Sequence, residues 1–412
     1  MPKRFISGER TGNYNMKKCK TGEGLRILVI GAGMYVDGRG TAEYGTVMPA
    51  LNELYRAGLV DTVSAAATSV STIAELKKRM RRLRKMTGTD MEIAGFPQKG
   101  HDPLAYRKAL SLERPDCAIV VVPDHLHYRI ARDLINAGVH TLVVKPLCAS
   151  VNEAKMLASL ARNRSVYGAV EFHKRYDEAN LKLKDIVGDG RLGDILYISV
   201  EYSQRRTVPI KAFRRWVGHT NIFQYLGVHY ADIIYFATGA RPVRALATGQ
   251  KALLKRSGID TYDSIQAVIE WSGPKGKKFI STILTNWIDP DTTSSMSDQK
   301  IKVIGTEGRY ESDQKDRGVQ IVTEKGGIED VNPYFTKSYP LCGTGFKYFK
   351  GYGIESIRQF CEDALSIKSG ASEPPDFAGK RPTFRDALVS TAIVEAVNLS
   401  LKKGSLWVKV RV

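Results

Sequence analysis

The chain has 412 residues, 43% hydrophobic and 25% charged, which excludes a mostly disordered chain and a collagen-like or coiled-coil fibre. Its length favours two domains, and no run of about 18 apolar residues predicts a membrane-spanning helix. With 62 Lys and Arg against 43 Asp and Glu, the formal charge of +19 favours anionic partners such as phosphates and nucleotides.

Residues 1–24 are polar and basic, without the apolar stretch of a secretory signal, and are expected to form a flexible tail. Ordered structure should begin at Leu25. The run Leu25-Arg26-Ile27-Leu28-Val29-Ile30 reads as a buried parallel strand that enters the turn Gly31-Ala32-Gly33. A helix-like stretch over 48–54, an apolar run over 60–67 and a basic helix over 73–85 follow. Residues 117–122 form the next clear strand, ending at Pro123-Asp124. A helix over 129–136 stops at Ala137-Gly138, and a strand over 140–144 ends at Lys145-Pro146. Strands alternating with helices predict a doubly wound parallel sheet over residues 25–150, the Rossmann arrangement.

Beyond 150 the texture changes. Residues 196–202, 264–271, 279–285 and 301–304 read as strands, several alternating apolar and polar residues. They predict a second α+β domain over 151–412 with an open, mostly antiparallel sheet. A helix near 384–401 is amphipathic enough to pack back on the first domain.

Five scattered cysteines without a CxxC pair argue against a disulfide framework or a structural zinc site. They favour a reducing, cytoplasmic setting, and no metal site is expected.

The glycine turn implies a dinucleotide. Its first glycine makes the turn, its second admits the pyrophosphate, and the following helix N-terminus faces the anion. Gly31, Ala32, Gly33 and Met34 are the candidates. Val36 occupies the usual place of a third glycine, the segment 37–44 reads as an insertion, and Gly45, Gly38 or Gly40 could take the third role. The second strand ends at Thr68-Ser69 without a carboxylate. This leaves NAD or NADP open, with a lean towards NADP from the basic helix that follows. No aromatic residues interleave with that helix's charges, so nucleic acid is not an expected partner.

Further motifs follow in order. Val-Pro-Asp-His-Leu-His ends the strand at 122, so Pro123 and His127 join the cofactor candidates. Val144-Lys145-Pro146 ends the next strand and adds Lys145 to the cofactor candidates. Arg175-Tyr176-Asp177, Gly190-Arg191-Leu192-Gly193, Gly227 to Asp232 and Gly305 to Gly308 come after. In order and spacing this set resembles the Gfo/Idh/MocA family of glucose–fructose oxidoreductases and inositol dehydrogenases. The family runs Thr-Pro-x-x-x-His, then Glu-Lys-Pro, then Asp-x-Gly-x-His. Here Val144 stands where Glu is usual, and Tyr225 where Asp is usual.

The resemblance implies an NAD(P)-dependent oxidoreductase acting on a sugar or nucleotide sugar, as a homodimer or homotetramer. Lys145 and His229 would be catalytic, with Tyr225 in the place of the aspartate. Lys145, Arg175, Trp216, Asn221, Tyr225, His229 and Trp287 would line the substrate. The chemistry agrees. An ammonium at the C-terminal edge of a parallel sheet can hold a hydroxyl and stabilise a forming alkoxide, and an imidazole can take the proton. The basic stretch with Arg205, Arg206, Lys211, Arg214 and Arg215 could clamp a diphosphate. Two other readings keep the cofactor: an epimerase or lyase using transient oxidation, and a non-catalytic regulator that senses the dinucleotide.

Overall fold

The computed structural model describes residues 24–412; the expected tail lies, except for Gly24, outside the described residues. Six short strands build the first sheet: β1 (Leu25–Ile30), β2 (Val60–Ala66), β3 (Ile93–Phe96), β4 (Cys117–Val120), β5 (His140–Val144) and β6 (Gly168–Glu171). All pair in parallel, in the order β3-β2-β1-β4-β5-β6. The apolar, β-branched runs of β1 and β4 are buried on both faces because helices cover each side. The strand order reverses between β1 and β4, which opens a crevice at their C-terminal ends. The sheet does not stop at residue 150. A helix over Val151–Asn163 crosses back and adds β6, so the first structural unit runs on to Glu171.

Gly31 is needed at the crevice. Its φ is +116°, and a Cβ there would sit 1.9 Å from the Val121 carbonyl oxygen. Gly33 is extended and has nothing within 4 Å of a Cβ position, so its backbone is open to a ligand. The helix after it lasts only from Met34 to Asp37 before the chain makes an excursion; the longer helix is Val47–Arg56. Gly45 closes that excursion, since a Cβ on it would meet Gly38 N at 2.6 Å. Arg79, from the basic helix Val70–Thr87, pins it by donating to the Asp37 carbonyl at 2.6 Å.

The second sheet comprises β7 (Ile195–Arg205), β8 (Arg241–Gln250), β9 (Ser264–Ser272), β10 (Lys278–Asp289), β11 (Ser297–Gly305) and β12 (Arg309–Asp313). Their order is β12-β11-β7-β10-β9-β8, with a two-residue strand, Val408–Lys409, on the outer edge of β8. Every pair is antiparallel except β7–β10. The strict alternation of burial along β9 and β10 gives one packed face and one open face.

Two hairpins follow: β13 (Gln320–Thr323) with β14 (Gly327–Asp330), and β15 (Lys337–Pro340) with β16 (Lys347–Lys350). The second leans on the first unit. Arg56 bonds both Thr87 O at 2.6 Å and Lys347 O at 3.1 Å, Phe349 N donates to Glu53 at 3.1 Å, and Lys337 pairs with Glu43 at 2.6 Å. The late helix, Ala387–Lys402, packs on β8 and also on the helix Val151–Asn163, joining both units.

Gly31→Ala should destabilise the fold by about 2–4 kcal/mol, because the new methyl must displace backbone at a positive φ. Urea unfolding measures this; a change under about 0.5 kcal/mol would contradict the close approach of Gly31 to Val121.

Candidate active site

The C-terminal ends of β1, β2, β4, β5 and β6 converge on one crevice, and the sequence candidates divide by how their polar atoms are used. Along the β1 side lie Gly31, Ala32, Gly33 and Met34, all half-buried. At the end of β2, Thr68 is exposed and Ser69 caps the 18-residue helix, accepting from Thr72 N at 3.3 Å. The Ser69 hydroxyl lies 3.0 Å from those of both Ser71 and Thr72. Arg39, from the excursion, reaches back to Ala32 O at 3.4 Å and to Thr72 Oγ1 at 3.5 Å. Backbone N–H groups, three hydroxyls and a guanidinium thus border the open glycine turn. These groups fit the phosphates of a dinucleotide.

Pro123 stands at the end of the β4 loop. His127 is buried, with Nδ1 2.7 Å from Pro146 O and Nε2 2.9 Å from Val122 O. Its ring lies between the β4 and β5 loops, with each nitrogen facing a backbone carbonyl.

Lys145 emerges between those loops. Its ammonium is buried, donates to the Tyr225 carbonyl, and lies 4.0 Å from the centroid of the Tyr225 ring. Burial pushes its pKa down to about 7, against the opposing pull of Glu171 and Asp124. Burial pushes the Tyr225 phenol up to about 12. His229, in the helix Val228–Thr238, is buried; burial, and then Lys145, His173 and Lys174, hold it well below the usual imidazole range, so it is neutral at pH 7. Its Nδ1 is buried without a partner among the described residues.

Sequence reasoning did not pick out the residues around this pair. Glu171 ends β6 and is buried; its Oε1 accepts from Ser356 Oγ at 2.6 Å, and its Oε2 is 3.0 Å from His173 Nδ1. The His173 ring lies 4.8 Å from that of His229 and within 6 Å of Tyr35, Phe335 and Tyr352, with the Tyr35 hydroxyl 3.3 Å from its Nδ1. Lys174 is buried, bonds Gln299 and Gln314, and is pushed down to about 7 by burial. The only signal in the chain was adjacency: Glu171, His173 and Lys174 immediately precede the Arg175-Tyr176-Asp177 motif.

Other candidates spend their polar atoms on the fold. Arg175 is buried in a two-pronged pair with Asp232, at 2.7 and 2.6 Å, so Asp232 serves Arg175 although it shares a helix with His229. Asn221 donates to Asn398 at 2.7 Å and accepts from Gln224 N at 2.9 Å. Trp287 is fully buried and donates to Tyr262 O at 2.7 Å. Trp216 is half-buried against Phe213, whose ring meets Tyr225 edge-on. In the basic stretch, Arg205 bonds Thr293 and Arg214 bonds Ser257 O, both loop partners.

The site therefore belongs to a two-unit α/β protein, with a dinucleotide crevice beside a lysine–histidine centre at the junction with a mixed sheet. Residues 25–172 match the model of an oxidoreductase family with an NAD-binding Rossmann fold, and residues 180–311 match the GFO/IDH/MocA C-terminal domain. The chain belongs to the Gfo/Idh/MocA family. It is 22% identical over 213 residues to inositol 2-dehydrogenase of Rhizobium meliloti, covering 51% of this chain and 61% of that protein. It is 23% identical to levoglucosan dehydrogenase of Pseudarthrobacter phenanthrenivorans, over 69% of this chain and 79% of the other. Its fold matches the crystal structure of scyllo-inositol dehydrogenase from Lactobacillus casei with bound NAD(H) and scyllo-inositol. The TM-score is 0.65 at 16% identity, over 94% of this chain and 99% of that one. No helix among the described residues is long and apolar enough to cross a membrane.

Arg175→Ala should cost about 3–5 kcal/mol, since it strands the buried Asp232 carboxylate. A substrate-binding arginine would instead raise KM and leave urea unfolding unchanged, so the two measurements separate the roles.

Proposed function

We propose that this chain is an NAD(P)-dependent oxidoreductase that moves a hydride between nicotinamide and a carbinol or carbonyl carbon of a sugar or cyclic polyol. The observation that supports it most is a buried lysine at the C-terminal edge of the parallel sheet, held by the Tyr225 carbonyl and ring, with the buried His229 in the helix that follows Tyr225. When bound, the nicotinamide ring supplies the hydride donor or acceptor. Lys145 holds the reacting oxygen through its ammonium and stabilises the alkoxide as it forms. In oxidation, His229 accepts the hydroxyl proton at Nε2, the nitrogen opposite its buried Nδ1. Tyr225 holds Lys145 in place by its carbonyl and its ring.

For the cofactor we infer a preference for NADP(H). Three features support this: no carboxylate ends β2, the hydroxyls of Ser69, Ser71 and Thr72 cluster at a helix N-terminus, and Arg39 reaches over them. For assembly we infer a homo-oligomer through the open face of the second sheet. There Tyr197 stands in register with Ile280 and Ile304, and Tyr197 and Ile280 are 46% and 45% exposed. Light scattering of the purified chain checks this, and a monomer at micromolar concentration would refute it.

Quenching of tryptophan fluorescence should show tighter binding of NADPH than NADH, and Arg39→Ala should remove most of that difference. Equal affinities would overturn the cofactor reading. Lys145→Ala should lower kcat/KM at least 100-fold on a panel of sugars and inositols while leaving cofactor binding intact. Carbonyl reduction should slow as pH rises through about 7, because the Lys145 ammonium loses the proton it presents to the forming alkoxide. A rate that climbs through that range would exclude Lys145 as the donor.

A further inference from the structure

The family places a glutamate directly before the lysine and an aspartate four residues before the histidine; this chain has Val144 and Tyr225 there. A buried ammonium nonetheless needs a nearby negative charge. The register of the parallel sheet shows where one comes from. Val144 of β5 pairs with Glu171 of β6. The carboxylate absent from one strand is thus present at the same level on its neighbour, 1% exposed.

We propose that Glu171 is the charge-positioning residue of this site, supplying from β6 the carboxylate that holds Lys145 as an ammonium and anchors the ring of His173. The inference rests on the reading of Lys145 as catalytic. Both oxygens of Glu171 are directed. Oε1 takes the Ser356 hydroxyl at 2.6 Å, and Oε2 lies 3.0 Å from His173 Nδ1, which the Tyr35 hydroxyl also approaches at 3.3 Å. The His173 ring held in this way lies 4.8 Å from that of His229.

The other groups that bear on Lys145 do not replace Glu171. Asp124, from the β4 loop, is divided among Thr220 Oγ1 at 2.8 Å, Gln224 Nε2 at 2.6 Å and His125 N at 3.0 Å. From the remaining elements, Lys174, His127 and His229 can add only positive charge, and Tyr225 is neutral at pH 7. Glu171 comes ahead of Asp124 among the groups that favour the Lys145 ammonium.

The test reads the ionisation of Lys145 directly, without substrate. The intact protein is labelled with acetic anhydride across a pH series, and the Lys145 peptide is quantified by mass spectrometry. In Glu171→Gln, the midpoint for Lys145 should fall by about one pH unit or more relative to the wild type. Moving the charge back across the register, Val144→Glu with Glu171→Gln, should restore the wild-type midpoint. An unchanged midpoint in folded Glu171→Gln, checked by circular dichroism and cofactor quenching, would overturn the proposal. If that single variant does not fold, a double-variant midpoint below the wild-type value overturns it equally. The pH profile of kcat/KM should follow, with the limb that reports the ammonium moving to lower pH in Glu171→Gln. Retained activity in Lys145→Ala would instead remove the catalytic reading of Lys145, leaving the labelling result to stand by itself.

Discussion

The structure depends on keeping one ammonium, that of Lys145, away from water. Isolated burial of such a charge costs several kcal/mol, so the chain around it must return most of that cost. It does so from three directions. The Tyr225 carbonyl accepts from it, the Tyr225 ring lies under it, and the carboxylates of Glu171 and Asp124 act on it through space. Tyr225 lies beyond the second sheet's first strand, and the other groups come from the ends of β4, β5 and β6. Holding the lysine therefore also holds the two units together. The pKa near 7 is the residue of this balance: low enough for the group to exchange a proton, and not so low that the charge is lost.

The same junction explains the hairpin segment that follows β12. Phe335 and Tyr352 close on His173 from one side, while Tyr35, two residues past the glycine turn, closes from another. The Thr46 and Thr336 hydroxyls, 3.3 Å apart, and the Lys337–Glu43 pair fasten the hairpin to the excursion after the turn. The excursion is thereby tied to the basic helix on one side and to the second unit on the other, and Arg39 is carried on the part between.

Much of this was legible in the chain. Long apolar strands, a glycine turn and a lysine at a strand end can be read because each is a local pattern. The strands β3 (Ile-Ala-Gly-Phe) and β6 (Gly-Ala-Val-Glu) are interrupted or opened by glycine and lack the continuous β-branched run that marks β4 and β5, and with β6 one edge of the first sheet went unread. Lys145, Tyr225 and His229 were recognisable from their motifs, and the structure brings them together. Arg175 was equally recognisable, yet what it bonds is decided 57 residues away, at Asp232. Asp232 shares a helix with His229, but a bidentate guanidinium is the stronger claimant for a buried carboxylate.

Glu171 shows why the remainder could not be read. The departures at Val144 and Tyr225 are visible in one line of sequence and look like losses. The compensation for Val144 exists only after β5 and β6 have paired, because register converts a distance along the chain into a neighbour across a sheet. In a parallel sheet, adjacent strand ends present their side chains to the same crevice, so a charge needed there can be carried by either strand. What the site requires is a carboxylate at that depth and on that face. A search for a conserved letter before the lysine finds nothing, whereas a search for negative charge at the same level of the sheet finds Glu171 at once.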